Sequence, residues 1–151
     1  PELGARFEQV RKAILCAPRD ASTLRSEVLV MRQKMLDAHG AATPGQFDLK
    51  QDPGGIIDVE FIVQYLILAH AHQYPELTNN LGNIALLGMA AQHGLIPEDL
   101  ASAVQTAYRE YRRLQHINRL NDDPKARLLI DLPLEAHINA VLALKHQVFQ
   151  P

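Results

Sequence analysis

The chain has 151 residues, of which 47% are hydrophobic and 21% are charged, and its formal net charge is -2. This length and apolar content suffice for one domain with a buried core, and they exclude a disordered chain. The slightly negative charge gives no electrostatic footprint for nucleic acid or for an anionic membrane surface. We therefore expect no nucleic-acid partner and no membrane partner.

The single cysteine, Cys16, cannot form an internal disulfide or a thiolate zinc cluster, which favours a reducing compartment. The sequence does not open with the pattern of a signal peptide, a positively charged stretch followed by an apolar one. No apolar run reaches the ~20 residues that a membrane span needs. These features predict a cytoplasmic protein.

The apolar spacing predicts an all-α fold, a bundle of about six helices that forms a single domain over residues 1–151. Few aromatic residues and an abundance of Ala, Leu and Gln favour helix over sheet. Residues 40–53 are predicted as a long loop and residues 121–132 as a polar connection. The predicted helices cover residues 4–16, residues 20–39, about 55–72, residues 84–91, a long stretch that begins at Pro97 and ends in basic residues, and residues 133–149.

Two groups of charged residues are predicted to form solvated helix faces. The charged residues of the second helix lie mostly off its apolar stripe, which is typical of a face in contact with solvent. The arginines of the fifth helix are spaced beside Glu110, which favours a solvated face or an ion pair over a phosphate site. The residues concerned are Arg25, Glu27, Arg32 and Lys34 in the second helix, and Arg109, Arg112 and Arg113 in the fifth.

The segment from Lys50 to Glu60 is the most informative part of the sequence. Asp58 and Glu60 are the only charges between residues 56 and 69, although such an apolar helix is normally buried on most faces. One explanation is that both carboxylates cap the helix N-terminus. The other is that Gly54 and Gly55 let the backbone approach a phosphate or a neighbouring domain, with Lys50, Asp58 and Glu60 around the same spot.

Other familiar chemistries find little support in the sequence. The seven histidines are scattered, and His70 and His72 face different sides of one helix, so we expect no metal site. A Walker-type phosphate loop and a strand-linked dinucleotide fingerprint are both absent. Cys16 is expected to act as a small buried hydrophobic residue.

The order Asp48-Leu49-Lys50, Gly54-Gly55-Ile56, Asp58-Val59-Glu60-Phe61 and Gln64-Tyr65 resembles one domain of the bacterial glutamine synthetase adenylyltransferase and adenylyl-removing family. It is the helical domain that follows a nucleotidyltransferase domain. The similarity extends over most of the chain, and the arrangement is similar to the C-terminal end of that bifunctional enzyme. Residues 27–35, 77–94 and 108–119 also resemble the corresponding segments of that family.

The resemblance implies a part in nitrogen regulation. Members of the family transfer AMP from ATP, with magnesium, to a tyrosine of glutamine synthetase, and they remove it under control of glutamine and the PII signal protein. The implied partners are glutamine synthetase, the PII protein and the preceding nucleotidyltransferase domain. Lys50 would then offset negative charge on the triphosphate.

The sequence departs from that family in one decisive respect. It contains neither the Gly-Ser turn nor the Asp-x-Asp pair that holds magnesium in such nucleotidyltransferases. We therefore expect no catalytic residue and no bound cofactor in these 151 residues, and no activity from them alone. Gln115 and Ile117 also stand where relatives often have Glu and Arg.

Three roles remain open for the domain: closing the nucleotidyltransferase site, docking PII or glutamine synthetase, or a purely structural scaffold. Asp58 and Glu60 diverge by about 200° on a helix, so they cannot face the same partner. The interpretation favoured here directs Asp58 toward the adjoining catalytic domain and Glu60 into the core.

Overall fold

The computed structural model describes residues 2–41, 43–120 and 127–150. In these ranges the chain forms six α-helices, one short 3-10 turn at Pro75–Thr78 and two strands of two residues each, which confirms the all-α prediction. The helices are α1 (Glu2–Leu15), α2 (Ala21–His39), α3 (Ile56–His70), α4 (Asn83–Gln92), α5 (Glu98–Leu120) and α6 (Leu132–Phe149); the strands are β1 (Gln46–Phe47) and β2 (Leu128–Leu129).

Helix α3 lies at the centre of the molecule. It packs against α2, α4, α5 and α6, and this explains why it is apolar nearly all round. Val59, Ile62 and Val63 on this helix are at most 1% exposed. The first turn of α3, which carries Asp58, is buried as well.

Strands β1 and β2 tie the loop before α3 to the segment before α6. They pair antiparallel, with Gln46 opposite Leu129 and Phe47 opposite Leu128. The Phe47 ring is buried and lies 5.7 Å from the Tyr111 ring of α5. Two-residue strands are too short for an alternating pattern, so the sequence did not predict them; residues 121–126 of the predicted polar connection lie outside the described residues.

Helix α1 is present as predicted, but none of its residues is buried. The apolar residues Leu3, Phe7, Val10 and Ile14 are all more than half exposed. The helix is held through Arg11, whose side chain donates to the Thr78 carbonyl oxygen. An amphipathic pattern thus predicted the helix correctly, while its apolar stripe stays uncovered by the described residues. None of the described helices is both long and apolar enough to cross a membrane.

Candidate functional site

Two aspartates hold the backbone of the turn that carries Lys50. Asp48 Oδ1 accepts the N–H groups of Lys50 and Gln51, each at 2.9 Å. Asp52 Oδ2 accepts the N–H of Asp48 at 2.8 Å. Such side-chain to backbone bonds fix a tight turn. The Lys50 side chain is exposed at this turn, so the local structure presents a cation on a restrained backbone.

The glycine pair is required by the packing of the chain itself. Gly54 has φ +87°, a region that favours glycine, and a Cβ there would lie 2.8 Å from Ile138 Cγ2 of α6. A Cβ on Gly55 would overlap the Leu49 carbonyl oxygen and lie 3.0 Å from that of Asp52. Both glycines therefore serve a close approach between segments of this chain.

Asp58 is the centre of a buried polar cluster. Its side chain is fully buried, and Oδ1 accepts a hydrogen bond from Arg32 Nε at 2.6 Å. The other oxygen, Oδ2, accepts the N–H of Gly54 at 2.7 Å. Lys145 Nζ of α6 lies 3.4 Å from Oδ1. Arg32 Nη2 in turn donates to the Gln51 carbonyl oxygen at 2.7 Å, so the cluster joins α2, the turn, α3 and α6.

The predicted orientations of the two acidic residues are wrong. Asp58 is 1% exposed, whereas Glu60 is on the solvent side of α3. Arg32 was predicted to be solvated and is 2% exposed. Asp58 occupies the third position of the helix, where a carboxylate can reach back to a free N–H before the first turn, and Arg32 supplies the counter-charge that permits its burial. The capping explanation therefore holds for Asp58 only.

Tyr111 supports the same turn from the opposite side. Its hydroxyl donates to the Gly54 carbonyl oxygen at 2.8 Å, and its side chain is fully buried. Burial, together with the nearby Asp58 carboxylate, raises the pKa of the Tyr111 phenol above its ordinary value of 10.0. The phenol therefore stays protonated and keeps donating. No local pattern in the sequence indicates this bond, because Tyr111 and Gly54 are 57 positions apart.

The exposed side of the turn forms one wall of a groove of about 590 Å³. Lys50 and Gln51 line it from the turn, and His39 from the end of α2. The opposite side comes from the far end of α5 and the residue before β2. The remaining lining residues are Asp48, Gln115, Arg119 and Arg127.

Of the groove residues, only Lys50 was among the predicted site residues. His39 Nε2 lies 3.5 Å from Asp48 Oδ2, and Arg127 Nη1 lies 3.8 Å from Asp52 Oδ2. The basic end of α5 was visible in the sequence, but no local pattern connects it with residues 39, 50 and 127. In contrast, Arg113 is exposed and pairs with Glu110 at 2.5 Å, as its spacing predicted.

The arrangement is suited to binding a negatively charged group. Among the described residues, no group of three or more His, Cys, Asp or Glu side chains is placed to hold a metal ion. Two carboxylates of the motif are engaged: Asp58 with Arg32, and Asp48 with backbone N–H groups. The exposed charged side chains of the motif are Lys50, which lines the groove, and Glu60, which lies on the solvent side of α3 and does not line it.

Comparison with known proteins gives the class of the domain first. The family model described as GlnD PII-uridylyltransferase matches residues 23–147, which covers α2 to nearly the end of α6. The matched range includes the whole of the turn, the buried cluster and the groove. The chain therefore contains a helical domain of the class that this model describes.

Curated relatives then give the particular family. A bifunctional glutamine synthetase adenylyltransferase/adenylyl-removing enzyme from Nitrosomonas eutropha is 58% identical over 125 residues, 83% of this chain and 13% of the relative. Enzymes with the same description from Neisseria meningitidis serogroup A and Burkholderia mallei are 48% and 46% identical over 99% and 97% of this chain, and each match covers 16% of the relative. The chain belongs to the glutamine synthetase adenylyltransferase family, as its motif predicted. It spans less than a sixth of the length of the first relative.

Proposed function

We propose that this chain is the C-terminal helical part of an enzyme that transfers AMP from ATP to a tyrosine of glutamine synthetase. It completes or closes the active site of the preceding nucleotidyltransferase domain, which would hold ATP and magnesium. The partners are then glutamine synthetase and the PII signal protein, in the cytoplasm. Support comes from relatives of that description and from the restrained presentation of Lys50.

The main support for the proposal is that some residues of the motif make internal contacts while its lysine is exposed. Asp58, Gly54 and Gly55 are committed to internal contacts, whereas the Lys50 side chain is exposed on the turn that they fix. Nucleotidyl transfer depends on positioning and on cations that stabilise negative charge as it develops. A lysine on a prearranged turn supplies such a charge without reorganisation. The domain's contribution is therefore electrostatic, and the metal-binding carboxylates belong to the other domain.

Lys50→Ala in the full-length enzyme should lower the rate of AMP transfer to glutamine synthetase by at least about tenfold, the effect of a charge-assisted contact of about 1.5 kcal/mol. The melting temperature should hardly change, since exposed substitutions usually fall within about 0.5 kcal/mol. Radiolabelled AMP incorporation and thermal melts measure the two quantities.

Lys34→Ala is the matched control, because Lys34 is an exposed lysine of α2 that does not line the groove. It should leave both quantities unchanged. The 151-residue chain alone, incubated with glutamine synthetase, ATP and magnesium, should incorporate no AMP. Full transfer activity of the Lys50→Ala enzyme would show that the lysine takes no part in the reaction.

A docking module for PII or glutamine synthetase is the alternative role. The observation in its favour is the exposed apolar stripe of α1, formed by Leu3, Phe7, Val10 and Ile14. Exposed apolar residues that share one helix face are typical of a protein contact. If Lys50→Ala left transfer intact, this role would become the preferred one.

A further inference from the structure

We propose that the groove between the Lys50 turn and the end of α5 binds a chain of phosphate groups, supplied by a nucleoside triphosphate or by inorganic polyphosphate. Its assignment to a nucleotide rests on the proposed function, whereas the phosphate site itself rests on the groove. The residues that make it are Lys50, Arg119 and Arg127, and His39 lines it as well.

The groove concentrates positive charge in a chain that is acidic overall. Three permanent cations line it, and they come from the turn, from the end of α5 and from the residue before β2. Asp48 is the carboxylate among the lining residues of the described structure, and its Oδ1 is already occupied by two backbone N–H groups. The whole sequence carries a net charge of -2. Convergence of like charges is unfavourable unless an anion offsets it.

Within the described residues, two of the three cations make no ion pair, and the third, Arg127, makes only a long one. There, no carboxylate oxygen lies within the 4.0 Å of an ion pair from Lys50 or Arg119. Arg127 Nη1 is buried and has no hydrogen-bond partner in that part of the chain, and its contact with Asp52 at 3.8 Å is longer than a hydrogen bond. Six residues before Arg119 on α5, Arg113 is paired with Glu110. The contrast distinguishes the groove arginines from a solvated helix face.

Size and donor geometry fit a short phosphate chain. The volume of about 590 Å³ lies within the range of about 300–1,000 Å³ that is usual for small-molecule sites. Guanidinium groups bind phosphate oxygens through two parallel hydrogen bonds, and a lysine adds a point charge. The side-chain amides of Gln51 and Gln115 also line the groove and can donate further hydrogen bonds.

Calorimetric titration of the 151-residue chain with sodium tripolyphosphate, without magnesium, tests the site. Binding should saturate at one equivalent and weaken as salt is raised. Arg119→Gln and Lys50→Gln should each weaken it about tenfold, the loss of one charge-assisted contact. Arg109→Gln is the matched control: it removes the same charge from an exposed position of the same helix, and it should change the affinity less than about twofold.

The outcomes separate this inference from the proposed function. No saturable binding, or equal weakening by Arg109→Gln and Arg119→Gln, would overturn the phosphate site even if Lys50→Ala abolished AMP transfer. Site-specific binding with unimpaired transfer by the Lys50→Ala enzyme would keep the site and overturn the proposed function. A second titration with ATP distinguishes the sources, since tighter binding than tripolyphosphate identifies a nucleotide and equal or weaker binding identifies the inorganic chain.

Discussion

Asp58→Asn is expected to lower the free energy of unfolding by about 3–5 kcal/mol, because it leaves a buried arginine without its counter-charge. Arg32 is 2% exposed, and its Nε donates to Asp58 at 2.6 Å. Asn is nearly the same size as Asp, so the change removes the charge without opening a cavity. Urea unfolding of the 151-residue chain measures the loss.

Glu60→Gln is the matched control for this change, since it neutralises the other carboxylate of the motif on the same helix. Glu60 is exposed, so the substitution should change stability by less than about 0.5 kcal/mol. The earlier orientation, with Glu60 inside, requires the opposite ranking. A large loss for Glu60→Gln beside a silent Asp58→Asn would contradict the structure.

Gly55→Ala should destabilise the chain by about 3 kcal/mol, at the upper end of overpacking costs. The added Cβ would overlap the Leu49 carbonyl oxygen and lie 3.0 Å from the Asp52 carbonyl oxygen. Both are backbone atoms, and the Leu49 oxygen also accepts the N–H of Ile56 at 2.7 Å. The turn therefore has to shift as a unit. The loss appears as a lower urea midpoint.

Gly82→Ala provides the comparison, because Gly55 and Gly82 both precede a helix, both have negative φ, and neither makes a side-chain cap. No atom lies within 4 Å of a Cβ built on Gly82. Its substitution should cost only about 0.5–1 kcal/mol, the ordinary preference for glycine over alanine at a helix N-cap. Equal effects at the two positions would show that backbone entropy, rather than the close approach, is what matters at Gly55.

Helix boundaries and the central position of α3 could be predicted from the sequence, because both follow from local spacing and from an apolar segment interrupted by two charges. The pairing of Arg32 with Asp58 could not. The two residues are 26 positions apart, and a charged residue beside an apolar stripe gives no indication of a buried partner. The groove could not be predicted for a similar reason, since its basic residues come from distant positions in the sequence: 39, 50, 119 and 127.

Lys50 and the glycine pair were recognised as a motif, but their separate roles needed coordinates. A glycine pair beside a lysine suggests backbone approach to a ligand as readily as close internal packing. Only the positions of Leu49 and Ile138 show that the approach is internal. The glycine residues in the sequence indicated where a close backbone approach occurs, and the packing shows which segments approach each other there.

The coupling between Arg32 and Asp58 is the quantity on which the structural role of the motif depends, and a double-mutant cycle measures it directly. Unfolding free energies are compared for the unmodified chain, Arg32→Met, Asp58→Asn and the double variant. If the two side chains act as a buried pair, the double variant should be at least about 2 kcal/mol more stable than the sum of the two losses predicts, since neither charge is then left alone. Losses that add within about 0.5 kcal/mol would contradict the pairing and the restrained turn that depends on it.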